Sequence, residues 1–426
     1  MTRVNGASPS GVKKPQENRG IVNTAAATNA ASNILLLLSQ QRSPESDVIV
    51  GDESRQFLGP TSYSAVFREN QASIGVDLWG DSHEDEAPVA PYAGRDVTEI
   101  DVNTKGVELG KQVLAIFPSQ QICERFMDRF FSTFDVQLLH EPSMRFCLSS
   151  LWSTYGKFLA EPRDPVLLAQ MSEEILRNGS RHPPACKTAA EWLESFTGTH
   201  LRWEIIGTFA TIFGLAVIMI PEWDPLFTSE VDGVGQDKRL YARRLGEAGE
   251  QCQQISHEGS PPNEFTVWLM HHLQILQSLW SGDNKGFLWR KSGNVATAIT
   301  ALGLHRESTS AAPFMVSELR RRAFASAFIA DKQIATFTGR PPRLSRRYSN
   351  CQLPLDLDDV QLMSDGEERS RMLQALDAQG WNKKEFTHAT HLRGFMIMSL
   401  IRDEILELCL GPAHESTQTR RESVGP

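Results

Sequence analysis

One apolar run constrains the fold of this chain more than any other feature. The stretch IIGTFATIFGLAVIMI, residues 205–220, holds sixteen residues without a charge and is followed by Pro221. A helix that crosses a membrane needs about 20 apolar residues, and this run is shorter and contains two glycines. It therefore predicts a helix that is buried on all sides at the centre of a globular fold.

Composition and cysteine spacing exclude several classes of protein. The net charge of -9 gives no sign of the basic excess that neutralises nucleic-acid phosphates. Zinc ligands come in close pairs, but the six cysteines are all at least 24 positions apart: Cys123, Cys147, Cys186, Cys252, Cys351 and Cys409. We expect free thiols in a reducing compartment, and no metal or other cofactor held by this chain.

The composition changes along the chain and suggests four segments. Residues 1–50 are rich in Ala, Ser, Asn, Thr and Gly, so they bury too little apolar surface to offset the entropy of ordering, and we predict disorder. Residues 51–106 are predicted to be a loop-rich lead-in, residues 107–412 a helical regulatory domain, and residues 413–426 a polar tail.

Apolar residues in the long third segment recur with a helical period. In ICERFMDRFFSTF, residues Ile122, Phe126, Phe130 and Phe134 form one face of a polar helix. The segment 265–280 repeats the pattern with Phe265, Trp268, Leu269, Leu273, Leu276 and Trp280. Strand signals and fixed-period repeats are both missing. The sequence predicts an all-α fold, an irregular multi-helix array.

The stretch ALGLHRE, residues 301–307, contains a histidine beside a charge pair, which raises the possibility of a general base. Its pattern favours a structural role. Gly303 stands where a helix commonly ends in a left-handed residue, and Leu304 is the apolar residue that folds back on the last turn. His305 would then lie near the terminal carbonyls of that helix.

A second helix is predicted downstream, from an N-cap at Ser317 to Thr338, with Glu318 as a favourable charge in its first turn and Gly339 as its end. Its arginines fall on different sides of a helix, so we expect them to pair with Asp or Glu of neighbouring helices. The alternative is a basic surface, Arg340 to Arg347, that contacts anions or a nuclear import receptor.

The sequence offers one enzyme-like cluster, EFTHATH, in which Glu385, His388 and His391 would share one helical face. Di-iron bundles need such a motif on each of two helices, and only one copy is present. Hydrolase, Walker and dinucleotide fingerprints are absent from the sequence. We therefore expect a protein that is not an enzyme.

Several motifs resemble one known family in order and spacing. ALGLHRE, ELRRR, GRPP and LPLD, with LRWEIIGTFATIFG upstream, are similar to the fungal-specific transcription factor domain, the middle homology region of zinc-binuclear-cluster regulators. The resemblance spans roughly residues 55–410. The family-motif residues, whose role the resemblance implies is structural, are Trp289, Gly293, Gly303, Leu304, His305, Arg306, Glu318, Arg321, Arg322, Asp331, Gly339, Arg340, Pro341 and Pro354.

The resemblance implies an all-helical regulatory domain that acts in the nucleus on RNA polymerase II genes, commonly of metabolic or secondary-metabolite pathways. It also implies protein partners, with a homodimer as one option, a small-molecule effector as another, and no membrane association. Zinc would enter only through a six-cysteine cluster that this sequence lacks, so DNA contact would need a cluster outside the chain or in a partner. We expect a transcriptional regulator that acts through this helical regulatory module. The alternative is a stand-alone helical interaction module, or a co-regulator without direct DNA binding.

Overall fold

The computed structural model describes residues 104–134, 138–181, 186–228, 237–259, 262–281, 286–307 and 312–411, and every regular element in these ranges is helical. The all-α prediction is therefore confirmed for the described part of the chain. The predicted disordered segment, the polar tail and all but the last three residues of the predicted lead-in lie outside it.

The described residues form a series of α-helices with two short 3-10 turns, Gly198–His200 and Arg346–Tyr348. In chain order the helices are α1 (Thr104–Ala115), α2 (Gln120–Thr133), α3 (Glu141–Tyr155), α4 (Pro165–Ser180), α5 (Ala189–Glu194), α6 (Trp203–Met219), α7 (Pro225–Thr228), α8 (Lys238–Gly259), α9 (Glu264–Ser281), α10 (Gly286–Ala301), α11 (Phe314–Thr338), α12 (Asp359–Leu362), α13 (Gly366–Ala375) and α14 (His388–Leu410).

Helix α6 is the apolar run and lies at the centre of the fold. Every residue from Trp203 to Val217 is buried, and α6 packs against α2, α8 and α9. Burying one large aliphatic or aromatic side chain contributes roughly 1.5–3 kcal/mol, so α6 supplies a large share of the apolar core. The prediction of a buried core helix is confirmed. None of the helices described is both long and apolar enough to cross a membrane.

A glycine sets the distance between α6 and its neighbours. A Cβ added at Gly207 would lie 2.7 Å from the Cβ of Cys252 in α8 and 2.9 Å from a methyl group of Leu269 in α9. Since a Cβ position is fixed by the backbone, only glycine lets these helices approach so closely at this crossing.

The two predicted amphipathic helices form, with differences in each. In α2, Phe126 and Phe130 are buried as expected, whereas Ile122 is half-buried and Phe134, also half-buried, follows the last helical residue as the C-cap. In α9 the apolar face is buried from Phe265 to Leu276, but Trp280 remains 42% exposed. The ring of Trp280 covers Gly246 of α8, where an added Cβ would lie 2.4 Å from it. Only one side of the indole is therefore covered.

Helix α11 organises the C-terminal half and packs against α9, α10 and α14. The predicted N-cap at Ser317 is wrong: α11 begins at Phe314, with Pro313 in the cap position. Met315 and Val316 are buried, and this burial stabilises an additional turn before Ser317. The predicted end is confirmed, because Gly339 follows Thr338 with φ +62°, a left-handed conformation that favours glycine.

Candidate functional site

Most family-motif residues surround one irregular segment, residues 339–358, which we call the α11–α12 connection. It contains only the 3-10 turn Arg346–Tyr348 as regular structure, so most of its backbone N–H and C=O groups need partners elsewhere. Charged side chains of α11 supply several of them. The arrangement forms four contact groups.

The first group is a buried cluster of two carboxylates and one ammonium. Asp331 accepts hydrogen bonds from the backbone N–H groups of Arg343, at 3.0 Å, and Leu344, at 2.9 Å. The Lys332 ammonium lies 3.1 Å from Asp331 and 2.9 Å from Asp403 of α14, and it also donates to the Leu344 carbonyl. None of the three charged side chains is more than 3% exposed. Buried charges are tolerated only with such complete pairing, so this cluster ties α11, α14 and the connection together.

The second group is centred on Arg321. Its guanidinium pairs with Glu318, one turn earlier, and with Glu307, which follows the ALGLHRE turn. Glu318 also accepts the N–H of Leu355 at 2.8 Å, and Glu307 accepts that of Gln352 at 3.1 Å. Burial raises the pKa of Glu318, although the neighbouring arginines oppose that rise. Both carboxylates therefore hold the end of the connection.

The third group joins α3 to the start of α12. Arg322 pairs with Asp359 and donates to the Leu357 carbonyl at 3.1 Å. His140, fully buried, lies 2.6 Å from the Asp359 carbonyl through Nε2 and 2.6 Å from the Ser143 hydroxyl through Nδ1. Burial lowers the pKa of His140, which keeps the ring neutral at pH 7. For Asp359, burial alone would raise the pKa, but the Arg322 guanidinium lowers it below its ordinary value.

The fourth group holds the LPLD stretch. Asp356 accepts hydrogen bonds from the hydroxyls of Thr387, at 2.9 Å, and Thr390, at 2.6 Å. Arg393 of α14 donates to the Pro354 carbonyl, and its guanidinium lies 4.3 Å from the centre of the Trp381 ring. The contribution of Pro354 to this group is thus its carbonyl oxygen.

Trp289 forms a further contact at the other end of the connection. The guanidinium of Arg343 lies 3.7 Å from its ring centre and that of Arg340 lies 5.3 Å away, while its indole N–H donates to the Pro341 carbonyl at 3.2 Å. A Cβ added at Gly293 would lie 3.4 Å from Arg343. Stacking of this kind on an aromatic face is worth about 0.5–2 kcal/mol.

The ALGLHRE stretch is a helix end, as predicted. Gly303 has φ +70°, the N–H of Leu304 bonds to the Ile299 carbonyl at 2.9 Å, and that of Gly303 bonds to the Thr300 carbonyl at 3.0 Å. These two bonds define a Schellman motif. His305 follows, buried, with its carbonyl accepting the N–H of Asn350 at 3.1 Å. Burial, and then the charge of Arg306, lowers the pKa of His305.

The arginines of ELRRR are paired as predicted, each with a carboxylate from another part of the fold. Arg320 bonds to Glu264 of α9 at 2.6 Å, and Arg321 and Arg322 lie in the second and third groups. In the basic segment Arg340 to Arg347, Arg347 is 71% exposed and pairs with Glu407 at 2.7 Å. Most of the basic residues from Arg320 to Arg347 therefore pair with acidic groups of this chain.

The enzyme-like cluster does not assemble as expected. Helix α14 begins at His388 with Thr387 as its N-cap, so Glu385 lies ahead of the helix and does not share a face with His388 and His391. All three side chains are exposed. Within the described ranges, no three His, Cys, Asp or Glu residues converge as metal ligands would.

Sequence reasoning missed half of the network. It did not single out these residues as partners: Lys332, Asp356, Asp359, Arg393, Asp403 and His140. One signal could have found Lys332, because its charge stands among the apolar residues of FIADKQIA. Charged residues inside an apolar helix face are rarely buried without a partner.

Two buried histidines of α9 give a prediction on pH. Burial, with a contribution from the neighbouring ring of His272, lowers the pKa of His271 to about 3, and burial lowers that of His272 to about 4. Below about pH 6.5 the two imidazole rings take up a proton in the unfolded chain but not in the folded chain. The two histidines therefore leave the free energy of unfolding unchanged above that pH and lower it as the pH drops toward 4, by about 1.4 kcal/mol per pH unit for each histidine.

We expect the variant His271→Leu to lose less of its free energy of unfolding than the wild type between pH 6.5 and pH 4.5. Urea titrations at the two pH values measure the difference, in which the unchanged contributions of Glu318 and Asp359 cancel. The matched control is the change of the exposed His388 to Gln, which removes a surface histidine and leaves the buried pair in place. Equal slopes for wild type and His271→Leu would contradict the assignment.

Comparison with known proteins shows which family part of this sequence resembles. Residues 265–424 match the family model of the Fungal specific transcription factor domain. Over 151 residues the chain is 26% identical to transcription factor FBD3 of Gibberella moniliformis (strain M3125 / FGSC 7600), an alignment that covers 35% of this chain and 18% of that relative. No solved structure matches the chain.

The resemblance stated from the sequence is thus confirmed for residues 265–424, a range that contains α10 to α14 and every family-motif residue named above. Its extension upstream to residue 55 stays a prediction, and residues 55–103 of that extension lie outside the described ranges. The chain spans less than a fifth of the length of the curated relative that it matches.

Proposed function

We propose that this chain is the regulatory module of a transcription factor that acts in the nucleus on RNA polymerase II genes, those of a metabolic or secondary-metabolite pathway. The match of residues 265–424 to the fungal transcription factor domain is the observation that carries the proposal. The motif residues of this range support it, because they hold the α11–α12 connection through paired charges. Such a structural role fits a regulatory module that binds a partner or an effector molecule.

Contact with DNA, in this proposal, comes from a zinc cluster outside the 426 residues or from a partner protein. The spacing of the cysteines supports a zinc cluster that lies outside these residues. Cys123, Cys147 and Cys252 are buried on three different helices, where burial raises the pKa of each thiol and disfavours the thiolate that zinc requires. An effector molecule that binds the helical module belongs to the same proposal.

A tethering experiment tests the regulatory role. The full chain is fused to a heterologous DNA-binding domain in a fungal host, and transcription of a reporter with matching operator sites is measured. We expect a change of at least several-fold relative to the DNA-binding domain alone, together with nuclear accumulation of the untethered, fluorescently tagged chain. A fusion carrying Lys332→Met, which weakens the fold, should show a smaller change.

A silent reporter combined with a chain that stays out of the nucleus would refute the proposal. The second candidate, a co-regulator or interaction module without direct DNA binding, is favoured by the dispersed cysteines. Sequencing the full transcript from the native locus separates the two. A six-cysteine cluster encoded in the same reading frame would exclude the second candidate, whereas a nuclear chain that regulates the reporter and whose transcript encodes no such cluster would establish it.

A further inference from the structure

Two arginines of the α11–α12 connection carry charges that no acidic side chain of the described residues neutralises. Every other basic residue from Arg320 to Arg347 pairs with a carboxylate, whereas Arg340 and Arg343 form no ion pair within the described ranges. Both residues are exposed. The basic surface that the sequence suggested between Arg340 and Arg347 therefore narrows to these two residues.

The ring of Trp289 brings the two guanidinium groups together. Its centre lies 3.7 Å from the guanidinium carbon of Arg343 and 5.3 Å from that of Arg340, so the two carbons are no farther apart than the sum of these distances. Two positive charges this close repel each other. The indole face attracts each of them, but it carries no net charge and cannot neutralise them.

Helix α10 leaves room for both guanidinium groups beside that ring. Gly286, Trp289 and Gly293 recur at intervals of three and four residues, so they share one face of the helix. A Cβ added at Gly286 would lie 3.0 Å from Nη1 of Arg340, and one added at Gly293 would lie 3.4 Å from the guanidinium carbon of Arg343. A larger residue at either position would press on the guanidinium groups.

The backbone that carries the two arginines is fixed on both sides. The indole N–H of Trp289 donates to the Pro341 carbonyl at 3.2 Å, and the backbone N–H of Arg343 donates to the buried carboxylate of Asp331 at 3.0 Å. The positions of the two side chains are thus largely set before a ligand arrives. Such preorganisation reduces the entropy that binding costs.

The chemistry of this pair fits a phosphate group. Planar guanidinium groups bind phosphate oxygens bidentately, and a phosphate monoester offers three acceptor oxygens and nearly two negative charges at pH 7. With hydrogen bonds of about 2.8 Å on each side, one phosphate group bridges guanidinium carbons that are roughly 8 Å apart. A single carboxylate has one charge and two oxygens, so it satisfies only one guanidinium group.

The surroundings of the pair favour a phosphate group that a protein presents. Arg340, Pro341 and Arg343 are all exposed, so the pair faces open solvent, whereas small molecules are commonly enclosed. A nucleic-acid backbone is bound through a series of phosphate contacts, but the next two basic residues, Arg346 and Arg347, are already paired. We propose that Arg340 and Arg343 together bind a phosphorylated serine or threonine of a protein partner. This site does not depend on the transcriptional role proposed above.

Surface plasmon resonance with an immobilised peptide library tests the site. Phosphoserine is fixed at the centre of the library and the flanking residues vary, and a second library carries serine at the same position. We expect the full chain to bind the first library and not the second. Either Arg340→Gln or Arg343→Gln should raise the dissociation constant by at least about tenfold.

Arg371 of α13 provides the matched control for these two variants. It is exposed and forms no ion pair among the residues that the structure describes, so Arg371→Gln removes the same charge elsewhere on the surface. This variant should bind the phosphoserine library as the wild type does. Circular dichroism should show all three variants folded.

Chemical modification of the unaltered chain keeps the proposal testable if the two variants fail to fold. Phenylglyoxal reacts with exposed guanidinium groups, and peptide mass spectrometry reports the extent of reaction at each arginine separately. The soluble phosphoserine library should protect Arg340 and Arg343 and leave Arg371 reactive. The serine library should protect none of the three.

Competition experiments identify the source of the phosphate group. Inorganic phosphate should displace the chain from the immobilised library only at concentrations at least about tenfold above those of the soluble phosphoserine library, and duplex DNA of random sequence should not displace it. Equal potency of inorganic phosphate would show a site for a free ion, and displacement by DNA would show a nucleic-acid site. Either result overturns the proposal.

Two further results would also overturn it. The first is a chain that neither binds the phosphoserine library nor is protected by it, and the second is binding that both Arg340→Gln and Arg343→Gln retain in full. A chain that binds the phosphoserine library as expected but regulates no reporter would refute the proposed function alone.

Discussion

Replacing Lys332 with Met should lower the free energy of unfolding by about 3–5 kcal/mol. The ammonium is fully buried between the carboxylates of Asp331 and Asp403, so its loss leaves two negative charges close together in a medium of low polarity. The Leu344 carbonyl loses a donor at the same time. Urea titration followed by tryptophan fluorescence measures the loss, which is a large part of the 5–15 kcal/mol typical of a domain.

An exposed ion pair between the α11–α12 connection and α14 provides the matched control. Arg347 pairs with Glu407 of α14 at 2.7 Å but is 71% exposed, so Arg347→Met should cost less than about 1 kcal/mol. Adding Asp403→Asn to Lys332→Met removes one of the stranded charges and should recover part of the stability. Equal losses for Lys332→Met and Arg347→Met would show that the buried cluster does not stabilise the fold.

Replacing Gly207 with Ala should destabilise the protein by about 1–3 kcal/mol through overpacking, although alanine is the better helix former by about 0.5–1 kcal/mol. The new methyl group would lie 2.7 Å from the Cβ of Cys252. Since neither atom can rotate away, α6 and α8 must separate. Thermal and urea unfolding of the variant measure the net effect.

Gly394 of α14 is the matched control, because a Cβ added there meets nothing within 4 Å. The change Gly394→Ala should therefore stabilise the helix by about 0.5–1 kcal/mol. Opposite signs for the two alanine variants are the expected result. A stabilising Gly207→Ala would mean that α6 and α8 adjust at that crossing without loss of packing.

Helix ends show both the reach and the limit of sequence reasoning. Local pattern alone predicts the helix ends at Gly303 and Gly339, because a left-handed backbone position selects for glycine. It predicts the start of α11 wrongly at Ser317, since a good N-cap residue also occurs inside helices. What decided the start was the burial of Met315 and Val316, which depends on neighbouring helices that the local pattern does not contain.

The sequence by itself determined the helical class and the buried centre, because periodicity and a sixteen-residue apolar run are properties of neighbouring positions. It also indicated that the ELRRR arginines are paired. Only the tertiary structure decided which carboxylate each arginine pairs with, because a chain with 43 basic and 52 acidic residues allows very many pairings. Arg322 meets Asp359, and Lys332 meets Asp403, because packing brings their helices together. The same packing leaves one face of α14 exposed within the described residues, because only the opposite face contacts α11.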